Sequence, residues 1–246
     1  GNFAQIGNEE GRNEDFIEIS AELVTNGDFA TDSDWSKNTG WTISGGTANK
    51  DSVDINYLSQ DFSGNGQFKV TYTISNYVSG NVRVRIGTGF STNIRSANGT
   101  YTEYLAKDSA SFGFYGEGEF SLDNVSVKEV GQDWSFGGDW TMGDSVATNT
   151  RSGAGYDSLS QNSVISGKSY KFSVNVISNT GGTLLLLNDW TGSNYYSAGS
   201  TTGEKVWYFT ATATQTSLEF SGDGETIVID NVSCKEVGQN WGVSGT

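Results

Sequence analysis

Histidine and proline are both absent from the 246 residues, and there is a single cysteine. Without histidine the chain lacks the usual general base, the commonest zinc ligand and the side chain that changes charge near neutral pH. A serine–histidine nucleophile is therefore impossible. The lone Cys234 cannot form an internal disulfide. Cations are scarce as well: 14 lysines and arginines stand against 29 aspartates and glutamates, for a net charge of −15. That balance argues against nucleic acid and anionic membrane as partners. Its spread along the chain suits a soluble surface that resists self-association. No apolar run exceeds four residues, as at Leu184 to Leu187, so no membrane insertion by a helix is expected. No segment shows a helical hydrophobic period.

What remains is all-β in character. The chain has 33 glycines, is rich in Ser, Thr and Asn, and is 13% aromatic. Apolar residues alternate with polar ones in several places. Phe68, Val70, Tyr72 and Ile74 share one face of a strand; Val82, Val84 and Ile86 alternate with Arg83 and Arg85; Phe112 and Phe114 alternate with Ser111 and Gly113. Further on, Phe172, Val174 and Val176 do the same. One buried and one polar face per strand predicts antiparallel sheets packed as a sandwich.

The chain also repeats itself. Asp123 to Val130 reads Asp-Asn-Val-Ser-Val-Lys-Glu-Val and returns at Asp230 to Val237 with only Val127 changed, to Cys234. A period of roughly a hundred residues is that of a small domain, not of a solenoid unit. Trp35 and Trp41 recur as Trp134 and Trp140, and Leu58-Ser59-Gln60 as Leu159-Ser160-Gln161. The reading is an acidic connector at 1–20, one module at 21–130, a second at 131–237, and the start of a third copy or a linker at 238–246. Phe16, Ile17 and Ile19 add a possible docking strand to the connector. The second copy lacks the opening stretch Leu23 to Phe29 of the first.

In both copies the apolar phase of the last strand flips by one residue at an Asp-Asn pair, Asp123-Asn124 and Asp230-Asn231. Such a flip requires a bulge or a break. The aspartate there either bonds nearby backbone or faces a metal.

Leu23 to Phe29, Trp41 to Gly46, Leu58 to Gln60 and Asp123 to Val127, in that order, resemble the jelly-roll carbohydrate-binding modules of the cellulose- and xylan-binding type. Similar modules occur in tandem in bacteriophage fibres and tail or capsid appendages. The resemblance implies a galactose-binding-like jelly roll and a structural calcium between the opening turn and the aspartate of the last strand. The matching calcium candidates in module 1 are Asn26, Asp28, Asp32 and Asp123. Ala30 stands where the family usually has a glutamate ligand, and calcium wants six to eight oxygens.

Sugar recognition needs flat aromatic faces flanked by groups that bond hydroxyls. In the first copy the candidates are Tyr57, Gln60, Arg83 and Arg85. In the second they are Gln161, Trp190, Tyr195 and Tyr196, the last three in a loop-like stretch. The copies share few of these residues, which favours a structural role. Glu117 and Glu119 are spaced for one face, but no second carboxylate pattern answers them across a cleft, so no enzyme is expected. The reading is a non-catalytic structural and adhesion module of a virion or other cell-exterior appendage. Its partners are other copies of the module, proteins of the same assembly and cell-surface polysaccharide. The alternative is a polysaccharide-binding module of a secreted glycoside hydrolase.

Overall fold

A computed structural model describes residues 21–237, except 65, 108, 132–133, 144–145, 163 and 188–194. The connector at 1–20, the segment 238–246 and Trp190 lie outside the described residues. The described residues fall into two compact units, 21–131 and 134–237, here called modules 1 and 2. Among the described residues all regular structure is strand, and no helix is long and apolar enough to cross a membrane.

Module 2 has ten strands: β8 (Ser135–Phe136), β9 (Trp140–Gly143), β10 (Val146–Thr150), β11 (Tyr156–Gln161), β12 (Ser169–Asn179), β13 (Thr183–Leu187), β14 (Tyr195–Gly199), β15 (Gly203–Thr210), β16 (Thr216–Ser221) and β17 (Thr226–Glu236). They form two antiparallel five-stranded sheets, ordered β15-β12-β17-β10-β9 and β14-β13-β16-β11-β8. Module 1 has seven: β1 (Ser36–Lys37), β2 (Trp41–Ser44), β3 (Thr47–Ser59), β4 (Gly66–Ile86), β5 (Gly89–Phe90), β6 (Gly99–Lys107) and β7 (Phe112–Val130). Three of these are long because each serves both layers. The register of β3 on β7 breaks between Ser52 and Asn56, and that of β4 on β7 between Ser75 and Ser79. On one side of these breaks lies the order β2-β3-β7-β4-β6; on the other lies β1-β3-β7-β4-β5. Each order has its match in module 2, so both modules are the same jelly-roll sandwich.

Alternation builds the core. In module 1 Leu58, Phe68, Val70, Tyr72, Val84, Phe112, Phe114, Leu122 and Val127 are buried. Trp35 packs between Phe29 and Phe112, with ring centroids 5.3 and 6.2 Å away. Trp41 and Trp140 tie the layers together, since their indole N–H groups donate to the carbonyls of Asn56 and Asp157 at 3.2 and 3.0 Å. The phase flip of the last strand is a bulge, as its sequence requires. Thr71 and Thr73 of β4 face Ser126 and Asp123 of β7, leaving one extra residue on β7. Asn124 and Asn231 take it up with φ of 52° and 55°, a conformation asparagine tolerates better than most residues.

Candidate functional site

The outer face of the β1-β3-β7-β4-β5 layer gathers the aromatic and cationic side chains of module 1. Leu58, Phe114 and Val84 point inward, so their neighbours point out. Tyr57, Tyr115 and Arg83 are directly opposite one another on β3, β7 and β4 and make one cross-strand row. The next row is Ser59, Gly113, Arg85 and Phe90. On the other side, Asn81 is opposite Glu117, and its amide donates to the Glu117 carboxylate at 2.8 Å.

These side chains hold one another. The rings of Tyr57 and Tyr115 are 4.6 Å apart, and those of Phe90 and Tyr115 5.1 Å. The Arg83 guanidinium lies 4.3 Å from the Phe90 ring centre and 5.4 Å from that of Tyr115. Arg85 lies 5.2 Å from that of Tyr57. Between them on β7 lies Gly113, where a Cβ would collide with the Leu58 carbonyl. Cation–ring contacts of this kind are worth about 0.5–1 kcal/mol each at exposed sites, which offsets part of the entropy of holding the guanidinia over the rings. The rings are half-buried, and Phe90 is 36% exposed.

The structure brings Tyr57, Arg83 and Arg85 together as the sequence suggested, and adds Tyr115, Phe90, Asn81 and Glu117. Gln60 is not part of this face. Its amide oxygen accepts from Thr25 N–H at 2.7 Å, and its amide nitrogen donates to the Thr25 and Asp34 carbonyls, both at 2.9 Å. It clamps the opening segment and has no donor left for a sugar.

Module 2 keeps the backbone of this face and replaces its chemistry. By register, Ser158, Glu219 and Leu185 occupy the places of Tyr57, Tyr115 and Arg83, while Leu187 and Tyr195 occupy those of Arg85 and Phe90. Burial pushes the Glu219 carboxyl above its ordinary range. Tyr196 is opposite the buried Leu186 and so turns inward, packing 6.3 Å from Phe209. Gln161 is buried at the end of β11. Neither of these two is presented to solvent as a sugar platform. Tyr195 lies on β14.

The four calcium candidates do not converge. The Asn26 side chain closes its own turn, donating to the Thr31 and Ser33 carbonyls at 2.7 and 3.0 Å and accepting from Thr31 N–H. Asp28 accepts from Ala30 N–H at 3.3 Å, and Asp32 pairs with Lys37. Asp123 accepts from Asn124 N–H at 2.6 Å. Among the described residues no three acidic or sulfur side chains gather to hold an ion. The donor set does not fit calcium's need for many convergent oxygens.

No protein-family model matches the chain, and no curated protein matches it. Solved structures of similar shape include the N-terminal CBM22-1–CBM22-2 tandem domain of Paenibacillus barcinonensis Xyn10C. It is 10% identical, with 90% of this chain and 99% of that one covered, at a TM-score of 0.30. A Paenibacillus xanthan lyase is 14% identical over 90% of this chain and 25% of its own, at a TM-score of 0.32. The triple jelly roll of an archaeal virus turret assembly is 12% identical over 83% of this chain and 59% of its own, at 0.26. Likeness at this level carries no argument about function.

Proposed function

We propose that module 1 is a non-catalytic glycan-binding module and that its binding face is the platform centred on Tyr115. The observation that carries this reading is the row Tyr57–Tyr115–Arg83, flanked by Phe90 and Arg85 on one side and by the Asn81–Glu117 pair on the other. Flat rings offer a surface for sugar C–H faces, and guanidinium, amide and carboxylate groups bond hydroxyls in fixed directions. On a chain of net charge −15, two guanidinia against one amide-held carboxylate favour a glycan that bears carboxylates, which arginine grips in a fork. Module 2, with Ser158, Glu219, Leu185 and Leu187 in the places of Tyr57, Tyr115, Arg83 and Arg85, serves as a spacer. The setting that suits such a tandem is a virion appendage or another cell-exterior assembly, with further copies of the module and proteins of that assembly as partners. A polysaccharide-binding module of a secreted hydrolase fits the same platform.

The test is a glycan array of neutral and uronic-acid-containing polysaccharides, probed with the whole chain and with Tyr115→Ala. Binding to acidic glycans that Tyr115→Ala loses supports the reading. A blank array from a folded chain, or hits that Tyr115→Ala leaves intact, overturns it.

A further inference from the structure

Among the described residues, module 2 has an open edge where module 1 is closed. In module 1 the chain ahead of β1 runs along β7. Leu23 N–H donates to the Val127 carbonyl at 3.0 Å, and Val125 N–H to the Gly27 carbonyl at 2.8 Å. The Glu22 carboxylate accepts from Val127 N–H at 2.7 Å and from the Ser126 hydroxyl at 2.6 Å. Gln60 locks the middle of the segment through both backbone groups of Thr25. Val24 and Phe29 drop into the core.

Every receiving group recurs in module 2. Val232, Ser233 and Cys234 replace Val125, Ser126 and Val127; Gln161 replaces Gln60; Trp134 replaces Trp35. The segment they would receive is missing, because only residues 131–133 link Val130 to Trp134. Beyond Ile229 the edge of β17 facing away from β12 has no strand partner among the described residues. Gln161 is 4% exposed, and its Oε1 finds no hydrogen-bond donor. An open strand edge and a buried acceptor without a donor both cost stability, and one extended segment would satisfy both.

We propose that residues 14–19 of this chain dock on that edge as the missing strand of module 2, by strand addition. Asp15-Phe16-Ile17 repeats the acid–apolar–apolar order of Glu22-Leu23-Val24. In the same alignment the Asp15 carboxylate meets the Ser233 hydroxyl and the Cys234 N–H. Charge agrees: Lys171 and Lys235 are directly opposite each other on β12 and β17, a like-charge pair that disfavours the sheet, and Glu14 and Glu18 bring the opposite sign. The tryptophan that the segment bonds recurs as well: in module 1 the Trp35 indole N–H donates to the Asn26 carbonyl at 3.1 Å, and Trp134 stands in its place in module 2.

The test is amide hydrogen exchange on the whole chain, read at Val232 and Cys234. Three variants accompany it: a chain without residues 1–20, Phe16→Asp with Ile17→Asp, and Gln161→Leu. Protection that is independent of protein concentration and falls at least tenfold in all three variants is the expected result. Equal exchange in the whole and shortened chains overturns the proposal. Protection that disappears on dilution also overturns it and assigns the edge to a second copy. Exchange at Val125 and Val127 of module 1 is the internal control and should not change. Glycan binding at the Tyr115 platform is read separately, so the two proposals fail independently.

Discussion

Tyr57 and Tyr115 lie side by side on adjacent strands, with ring centroids 4.6 Å apart and planes inclined at 41°. Neither ring is needed to fill the core, which Leu58 and Phe114 already occupy from the same strands. Two large rings on the polar side of a sheet, each touched by an arginine, need a reason other than folding. Removing Tyr115 should therefore cost binding far more than stability. With the best glycan from the array, Tyr115→Ala is expected to weaken binding by about 2 kcal/mol, roughly thirtyfold in Kd. Its melting temperature should fall by only a few degrees, because it loses its contacts with Tyr57, Phe90 and Arg83 on the outer face and no core packing. Titration calorimetry and a thermal melt on the same sample check both.

Arg85 lies 5.2 Å from the Tyr57 ring centre, and Gly113 between them has no room for a side chain against the Leu58 and Ser59 backbone. Arg85→Lys keeps the charge but loses the planar fork, so it should weaken binding to an acidic glycan severalfold. Gly113→Ala should do more damage, since its Cβ meets backbone, and should lower the melting temperature as well. Comparing the two by titration and melting separates a lost contact from a distorted sheet.

The calcium expectation leads to a plain outcome. Asn26, Asp28, Asp32 and Asp123 are each spent on a neighbour. A chelator should leave the melting temperature of the whole chain unchanged. Asp123→Ala should lower stability by about 1 kcal/mol, the net worth of the bond to Asn124 N–H, equally with and without added calcium. A melt that shifts with calcium in the parent and not in the variant would contradict this.

Much of the fold was legible because period-two alternation and the repeated octapeptide are local signals. They placed β4, β7 and β12 and the bulge at Asp123-Asn124. The platform was only half legible. Arg83 and Arg85 were visible as polar partners of Val82, Val84 and Ile86. Tyr115 continues the phase of Gly113, one step past Phe114, yet alternation alone does not say which strand lies beside which. Only the register sets Tyr57 and Arg83 on either side of it. Gln60 and Gln161 were misleading for a related reason. A polar residue at a strand end looks available, and what takes its bonds, Thr25 in module 1, lies 35 residues away. Tyr196 looked exposed because it follows a polar stretch, but its pairing with Leu186 turns it inward.

Cys234 faces Phe172 across the sheet, and burial pushes its thiol from 9.0 up to about 12. Only the thiolate reacts with alkylating reagents. At pH 8 the thiolate fraction is about a thousandfold below that of a thiol at the ordinary value, so iodoacetamide should label the folded chain very slowly and the unfolded chain readily. The protonated form is the one the fold favours. Its stabilising contribution is present below about pH 9 and is lost as pH rises through 12. Cys234→Val, the residue module 1 uses, should remove that alkaline loss, as followed by the melting temperature between pH 8 and 11.

Glu219 follows the same sign at the acid end of the scale. It occupies the place of Tyr115 in module 2, and burial raises its carboxyl above the ordinary 4.5. A carboxyl with a raised folded pKa stabilises only while protonated. That contribution is present below pH 4.5 and is lost as pH climbs through the raised value. Above its raised value the ionised group sits between Ser158 and Leu185, where a carboxylate is poorly solvated; below it the folded chain holds a proton that the unfolded chain has already released. Glu219→Gln should therefore raise the melting temperature at pH 7, with the gain shrinking to nothing near pH 4. Glu204→Gln, at an exposed site on β15, should change neither. Calorimetric scans of the three chains at the two pH values decide it: a gain for Glu219→Gln that persists at pH 4 would mean that lost packing or repulsion, not burial of charge, governs this position.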